Sequence, residues 1–543
     1  MVFEKYFTTE TGEDHSVITE KNQDRTTRRL KEMITAENAR SRSREITPGP
    51  LGLWLERALV GALFLFVIAA PNSIAATQTA WFLGLVFWVL RFAVWPRPKL
   101  DRTPLDYPMF SFFLLSGLSS FLSYSPIISI GKLRAACLFT IVYLFAENVR
   151  SRRVLRALAI ALIAACMFNV FYTFAEYTMG RGVKVYGVTA NSPLNSAQLV
   201  SRERIQPIPI LSGDTLEEID GKPVRDAEDL IEALQTSRKD AAGIRVYRVE
   251  WVAVLEVPRG RLLPGASPEE RLGIQRWTHG RDWRATGFYN HWTTYAESLQ
   301  LIASLVVGLL VALPRKWSRN GLLLSIAIAG MGVALLLSVT RASWLSLLVS
   351  AALISALSLS RRALLIVGAC ALPLVLAGLF VLHQKRNVGF FDRKDDSIAW
   401  RQKIWQEGFH LLTSNPRHLL VGVGMDSIKG HWREWGLFEN GRLPMGHMHS
   451  DYLQIALERG LPALIVWLIL LGAYARTLWR VRRHVPAENW IEKGIVLGAL
   501  GGLVGFMLSG VVHYNWGDSE VVMILYVITG LSLVVEREFR EQV

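Results

Sequence analysis

LERALVGALFLFVIAAPNSIAATQTAWFLGLVFWVLRFAVWPRPKLDR, residues 55–102, decides how the rest of the chain is read. It holds two apolar runs, near 55–72 and 76–95. Each is about the length needed to cross ~30 Å of hydrocarbon as a helix. The connection between them, PNSIAA, carries no charge, whereas the stretch that follows carries Arg97, Lys99 and Arg102. Neutral on one side and basic on the other is the asymmetry of a helix pair whose basic loop stays in the cytoplasm.

Outward from this pair the pattern repeats. Twelve apolar segments lie near 55–72, 76–95, 105–124, 129–147, 154–176, 296–313, 320–338, 343–360, 363–382, 461–479, 493–512 and 520–535. Later even-numbered connections carry Arg150/Arg152/Arg153, Arg315/Lys316/Arg319, Arg361/Arg362 and Arg480/Arg482/Arg483. YSPIIS, on the opposite side, is uncharged. The expected fold is mainly α: a polytopic membrane protein of about 12 transmembrane helices with both termini cytoplasmic. The expected organisation is a cytoplasmic tail (1–50), helices one to five (51–176), an outer segment (177–295), helices six to nine (296–382), a second outer segment (383–460), then helices ten to twelve and a cytoplasmic C-terminus (461–543). TTRRLKEMITAENARSRSREITP in the tail reads as partly helical, and no cleavable signal peptide is visible.

Composition agrees. Of 543 residues 51% are hydrophobic, and many of the 18 tryptophans sit near span ends, as interfacial belts do. The net charge of +14 collects in short loops, so it marks orientation and not a nucleic-acid partner. Cys137, Cys166 and Cys370 fall in apolar segments and read as small buried hydrophobes, with no disulfide frame. Three cations break the charge pattern at outer span ends: Lys132, Arg134 and Arg341. A cation there is costly unless it snorkels or meets an anion. Arg341, in LLLSVTRASWLSLL with apolar residues on both sides, is the one that points to function.

The first outer segment contains LSGDTLEEIDGKPVRDAEDLIEALQTSRKDAAGIRVYRVEWVAVLEV. Asp220-Gly221 is a hairpin turn signal, LEEI alternates as a strand does, Ala227–Leu234 is an amphipathic helix, and IRVYRV and WVAVLEV are strands. GVTANSPLNSAQL upstream supplies a strand and a turn, and VSRERIQPIPIL is inserted before Gly213. About 180–258 thus resembles a bacterial PDZ domain, a small α+β module. The resemblance implies binding of an extended peptide by strand addition, although the carboxylate-binding glycine loop is not evident. A docking role toward a periplasmic protein stands beside peptide capture.

The second outer segment reads DDSIAWRQKIWQEGFHLLTSNPRHLLVGVGMDSIKGHWREWGLFENGRLPMGHMHSDYLQIALERG. An amphipathic helix is expected over 398–412, with Ile398, Trp405, Phe409 and Leu412 on one face, and SNP stops it. GVG is a glycine turn, weak evidence by itself. Ser450 and Asp451 are natural caps for a short helix, YLQIALER, that breaks at Gly460-Leu461-Pro462. His449 then precedes a helix N-terminus, whose partial positive charge disfavours imidazolium and favours a nearby anion. Two histidines two apart do not fit a zinc pattern, so metal is not expected at His447 and His449. Asp395-Asp396 reads as a solvated charge pair.

Arg284-Ala-Thr-Gly-Phe, Thr340-Arg341-Ala342, Ser397…Arg401…Trp405, Gly422-Val-Gly424 and His449-Ser-Asp-Tyr452-Leu-Gln454…Glu458-Arg-Gly460 follow one another in order. That order, with the twelve segments, resembles the O-antigen ligase and O-antigen polymerase superfamily. The family usually shows Asn where Ser450 stands, and the PDZ-like insertion and long basic tail depart from it. The resemblance implies a glycosyltransferase working without nucleotide sugars. Its donor is a glycan on a polyprenyl diphosphate. Its acceptor is a hydroxyl on another glycan, most often the lipid A core. The site would face the periplasm from the bacterial inner membrane. No cofactor is implied.

The chemistry suits these residues. A diphosphate leaving group needs permanent positive charge and bidentate donors, which arginine gives. Arg341 and Arg284 come first, then Arg401, then Arg134. A neutral histidine can take the acceptor's proton as it attacks. That role goes to His449, with His447 as alternate or acceptor-binding residue. Asp451 either orients an imidazole or caps its helix. Polymerase and protein oligosaccharyltransferase remain alternatives in the same superfamily. A transporter of lipid-linked sugars would want ionisable groups near mid-membrane, not at the outer face. An intramembrane protease lacks HExxH, and Ser509/His513 has no supporting motif.

Overall fold

The computed structural model describes residues 49–200, 205–236, 240–248, 251–281, 283–289, 291–386, 396–443 and 446–540. The stretch 26–48 and Asp395 lie outside the described residues. Each of the twelve expected segments falls on helical backbone, the fourth on two α-helices, Pro126–Ala136 and Thr140–Asn148, joined by a 3-10 turn at Cys137–Phe139. Ten described helices are long and apolar enough to cross a membrane, from Pro50–Ala69 to Ser519–Phe539. The other two segments differ from expectation. Asp106–Phe121 has 16 residues, a rise of only ~24 Å. Arg361–Arg386 has 26 residues and contains Pro373. The protein is a polytopic, mainly α membrane protein with a small α+β domain.

Two units divide the chain. In one, residues 49–58 and 87–99, Arg91 pairs with Glu56 at 2.9 Å and Trp54 meets Phe87 edge-on. The other, residues 59–86 and 100–540, holds every residue of interest below. Its centre is the contact between helices Trp292–Ala312 and Trp490–Ser509. A Cβ at Gly494 or Gly498 would come within 2.6 Å of Leu309 Cα or Leu305 Cα, so small residues let the backbones touch. Arg341–Ser358 joins them through Ser350, whose hydroxyl donates to the Gly501 carbonyl at 2.6 Å and accepts from Gln300 at 3.3 Å.

The first outer segment forms one antiparallel sheet. Its strands are β1 (Val183–Tyr186), β2 (Gln198–Val200), β3 (Ile205–Pro207), β4 (Thr215–Ile219), β5 (Lys222–Pro223), β6 (Ala241–Arg248), β7 (Trp251–Pro258) and β8 (Arg276–His279). They run in the order β3-β2-β7-β6-β4-β1-β8, with β5 paired to β4. Asp220 and Gly221 turn from β4 to β5 with φ of 50° and 78°, as a two-residue hairpin requires. Helix Ala227–Gln235 buries Ala227, Leu230, Ile231 and Leu234, a one-sided stripe, in the sheet's core. In the inserted stretch, β3 pairs antiparallel with β2. LEEI does not alternate as expected. A register shift between Leu216 and Glu218 leaves Glu217 buried, where Arg181 and Arg245 each meet it at 3.3 Å.

In the second outer segment, helix Asp396–Thr413 buries Ile404, Gly408, Leu411 and Leu412. Phe409 is 62% exposed, off the face expected for it. The displacement follows from Gly408, whose Cα packs so close to Met448 that a Cβ would sit 2.7 Å from its sulfur. The short helix from Asp451 does break at Gly460, where φ is 82°. The Gly422-Val-Gly424 turn serves this helix. With φ of 78° and 97° at its glycines, it aims the N–H groups of Val423 and Gly424 at the carbonyls of Leu457 and Glu458, 2.9 Å each. Those carbonyls belong to the helix's last turn, which has no intrahelical donors of its own. Gly424→Ala would force an L side chain into positive φ and drive its Cβ into the Ser123 side chain. The expected loss is about 1–3 kcal/mol, seen as a lower thermal midpoint of the detergent-solubilised protein. An unchanged midpoint would mean the turn does not hold the helix.

Candidate functional site

Arg284 builds the site by shaping a turn. Its Nε donates to the Ser338 carbonyl at 2.8 Å, and Nη2 donates to the Val339 carbonyl at 2.9 Å and the Thr340 hydroxyl at 3.1 Å. Val339 is held at φ 51°, costly for a β-branched residue. The clamp offsets that strain and places Arg341 at the first position of helix Arg341–Ser358. Arg284 also lies over the Trp292 ring at 4.5 Å. Burial pulls its guanidinium down to about 9, which leaves it charged at neutral pH.

Helix Asp396–Thr413 brings the third arginine. The Ser397 hydroxyl accepts from Arg341 Nη2 at 3.1 Å, and the Ser397 carbonyl accepts from Arg401 Nη1 at 2.8 Å. Arg284, Arg341 and Arg401 thus line one cavity of about 400 Å³, with Trp292, Trp405 and His513. Arg134 is not brought there. It is exposed in the last turn of Pro126–Ala136 and lines neither this cavity nor the one described next.

A chain of ring contacts leads from the arginines to the histidines. Arg401 lies over Trp400 at 4.4 Å, Trp400 meets His449 at 4.7 Å, His449 meets His447 at 4.0 Å, and His447 faces Tyr514 at 5.7 Å. His447 and Tyr514 line a second cavity of about 390 Å³, with Lys132, Asp426, Lys429 and Glu520. His449 lines neither cavity itself; ring contacts join it to Trp400, beside Arg401 of the first, and to His447 of the second. Asp426 meets Lys132 at 2.8 Å and Lys429 at 3.0 Å, so the misplaced Lys132 has found an anion. Burial would raise the Asp426 carboxyl, but hydrogen bonds from the two lysines hold it below its usual range.

The histidine loop is fixed by its backbone. Met448 N–H donates to Gln454 Oε1 at 2.7 Å, and Trp405 Nε1 donates to the Met448 carbonyl at 2.9 Å. His449 takes φ 49°, a conformation a non-glycine residue adopts at a cost. Its N–H donates to His447 Nδ1 at 3.2 Å. That leaves the proton of neutral His447 on Nε2. His449 Nε2 is buried and has no hydrogen-bond partner among the described residues. Burial, then the charges of His447 and Arg401, holds the His449 imidazole far below its usual range; burial and Lys429 hold His447 down to about 4. Desolvation, more than the helix terminus, keeps both neutral. Asp451 neither caps by side chain nor reaches an imidazole. Its Oδ1 accepts from Trp516 N–H at 2.9 Å and ties the last loop to the helix start.

Sequence reading missed one member. His513 lines the arginine cavity, and its Nδ1 lies 2.6 Å from Glu297 Oε1, on a helix 216 positions earlier. The available signal was a glutamate inside an apolar span, which is expensive without a partner.

The neutral histidines carry a pH dependence. Burial holds His447 and His513 down to about 4 and about 3, and His449 lower still, against 6.5 when solvated. Between 6.5 and these values the unfolded chain binds protons that the folded chain refuses, so stability is lost as pH falls. The thermal midpoint in detergent should drop between about pH 6.5 and 5. His449→Gln should remove about a third of the part due to these three groups. A wild-type midpoint that rises over that window would contradict neutral burial.

Residues 326–468 match the family model described as O-Antigen ligase. The matched region starts before Arg341, contains Ser397, Arg401, His447 and His449, and ends in the helix after Gly460. A search of the curated proteins finds no match. On a polytopic membrane scaffold, residues 326–468 are therefore similar to the O-antigen ligase family.

Proposed function

We propose that this protein moves a glycan from a polyprenyl diphosphate to an acceptor hydroxyl, and that it is an O-antigen ligase whose acceptor is the lipid A core. The observation that carries this reading is the three-arginine cavity joined through Trp400 to a neutral His449. Arg341 and Arg401 hold the diphosphate, and Arg284 both holds their turn and adds charge. The second cavity, beyond His447, admits the acceptor from the side away from the arginines. As the acceptor oxygen bonds to the anomeric carbon, its proton passes to His449, whose Nε2 has no structural partner to give up. The carbon–oxygen bond to the diphosphate breaks, and its electron pair stays on the leaving phosphate oxygen. His447, protonated on Nε2, donates to the acceptor oxygen or a neighbouring hydroxyl.

In this reading the protein sits in a bacterial inner membrane with both termini cytoplasmic and the site facing the periplasm. The basic connections after alternate spans support that orientation. The sheet domain, with its PDZ-like helix and hairpin, is the docking module for a periplasmic protein. Mass analysis of glycolipids in a deletion strain tests the acceptor. A ligase leaves uncapped lipid A core beside polymeric polyprenyl-linked glycan. Single repeat units on the polyprenyl carrier would instead mean a polymerase.

A further inference from the structure

The reading above leaves His513 and Glu297 without a role. Glu297 is 2% exposed, inside helix Trp292–Ala312, and His513 is 9% exposed at the wall of the arginine cavity. They meet at 2.6 Å through Glu297 Oε1 and His513 Nδ1. The Glu297 carboxyl group on Nδ1 fixes the imidazole's orientation and leaves Nε2 for whatever lies beyond. Nε2 makes no hydrogen bond among the described residues. What lies beyond is the chamber with Arg284, Arg341 and Arg401. The charged and titratable groups around the imidazole are those three arginines, His291, His447, His449 and Glu297.

We propose that His513, positioned by Glu297, is a fourth ligand for the donor diphosphate, and that it becomes a cation only when that anion binds. This rests on the proposed diphosphate chamber. With the chamber empty, the arginines repel a further positive charge and His513 stays neutral. A bound diphosphate reverses the sign of the local field. Nε2 then takes one proton from water and donates a hydrogen bond to a non-bridging phosphate oxygen. Glu297 compensates the imidazolium on the other side. When the glycosyl bond breaks, the leaving oxygen gains an electron pair. The Nε2 proton passes to it, which restores the neutral imidazole and releases a protonated polyprenyl diphosphate. His513 thus links donor binding to proton uptake, while His449 serves the acceptor.

Calorimetric titration of the detergent-solubilised full chain with inorganic pyrophosphate, in buffers of different ionisation enthalpy at pH 7, reads both affinity and protons bound. Relative to wild type, His513→Asn should bind roughly 10–100-fold more weakly. It should also take up about one proton fewer per site. Glu297→Gln keeps the side chain's shape and should lose the same proton, with a thermal midpoint near wild type. His449→Ala should retain affinity and proton count. Unchanged affinity and proton uptake in a folded Glu297→Gln or His513→Asn protein would overturn the proposal. The failure of the underlying reading looks different: pyrophosphate affinity would then be insensitive to Arg341→Ala.

Discussion

His449→Ala should lower glycan transfer by ~10²–10⁴-fold, the usual contribution of a positioned general base. The variant should still insert in the membrane at wild-type level. Among the described residues its ring pairs with only Trp400 and His447, and no hydrogen bond to its Nε2 holds the fold together. The backbone there sits at φ 49°, so alanine adds some strain of its own. His449→Asn separates the two effects, because asparagine tolerates this conformation but cannot accept the proton. Transfer from purified polyprenyl-linked donor in proteoliposomes is the measurement. A loss shared by both variants locates the base at residue 449. Near-normal transfer in His449→Asn would remove the base from this position, and a dead His447→Ala beside it would move the role there.

The second large effect is at Arg341. Arg341→Ala should lower kcat/KM for the donor by ~10²–10³-fold, the scale for removing one preorganised donor to developing anionic charge. Arg341→Lys should recover only a small part. A lysine keeps the charge but not the planar fork that can hold Ser397 and a phosphate oxygen together. The clamp formed by Arg284 on Ser338, Val339 and Thr340 is untouched by either change, so the turn should survive. Donor kinetics at saturating acceptor are the readout. Full recovery by lysine would reduce Arg341 to a point charge and sink the bidentate role.

The same residues divide what can be read along the chain from what cannot. Helix positions were legible because hydropathy acts locally: a run that cannot be solvated must be buried in lipid or protein wherever it folds. Asp220-Gly221 and Gly460 were legible for a similar reason, since turn geometry is a property of one or two residues. Phe409 was misplaced because helical periodicity defines a stripe but not its partner, and Gly408 rotated the buried face toward Met448. Asp451 looked like a cap by its position, yet the loop at Trp516 reaches it first.

By itself the sequence determined a polytopic α-helical membrane protein with an α+β insertion, the three arginines and two histidines of interest, and the order in which they occur. These follow from composition, period and short motifs, which the chain carries wherever it folds. Only the tertiary structure decided that Arg284, Arg341 and Arg401 share one chamber while Arg134 stays outside it. It alone set His449 against Trp400 and His447 and joined His513 to Glu297 across 216 residues. Distances of that kind depend on which helices pack together, and the glycines of 490–509 set them by letting one backbone rest against another.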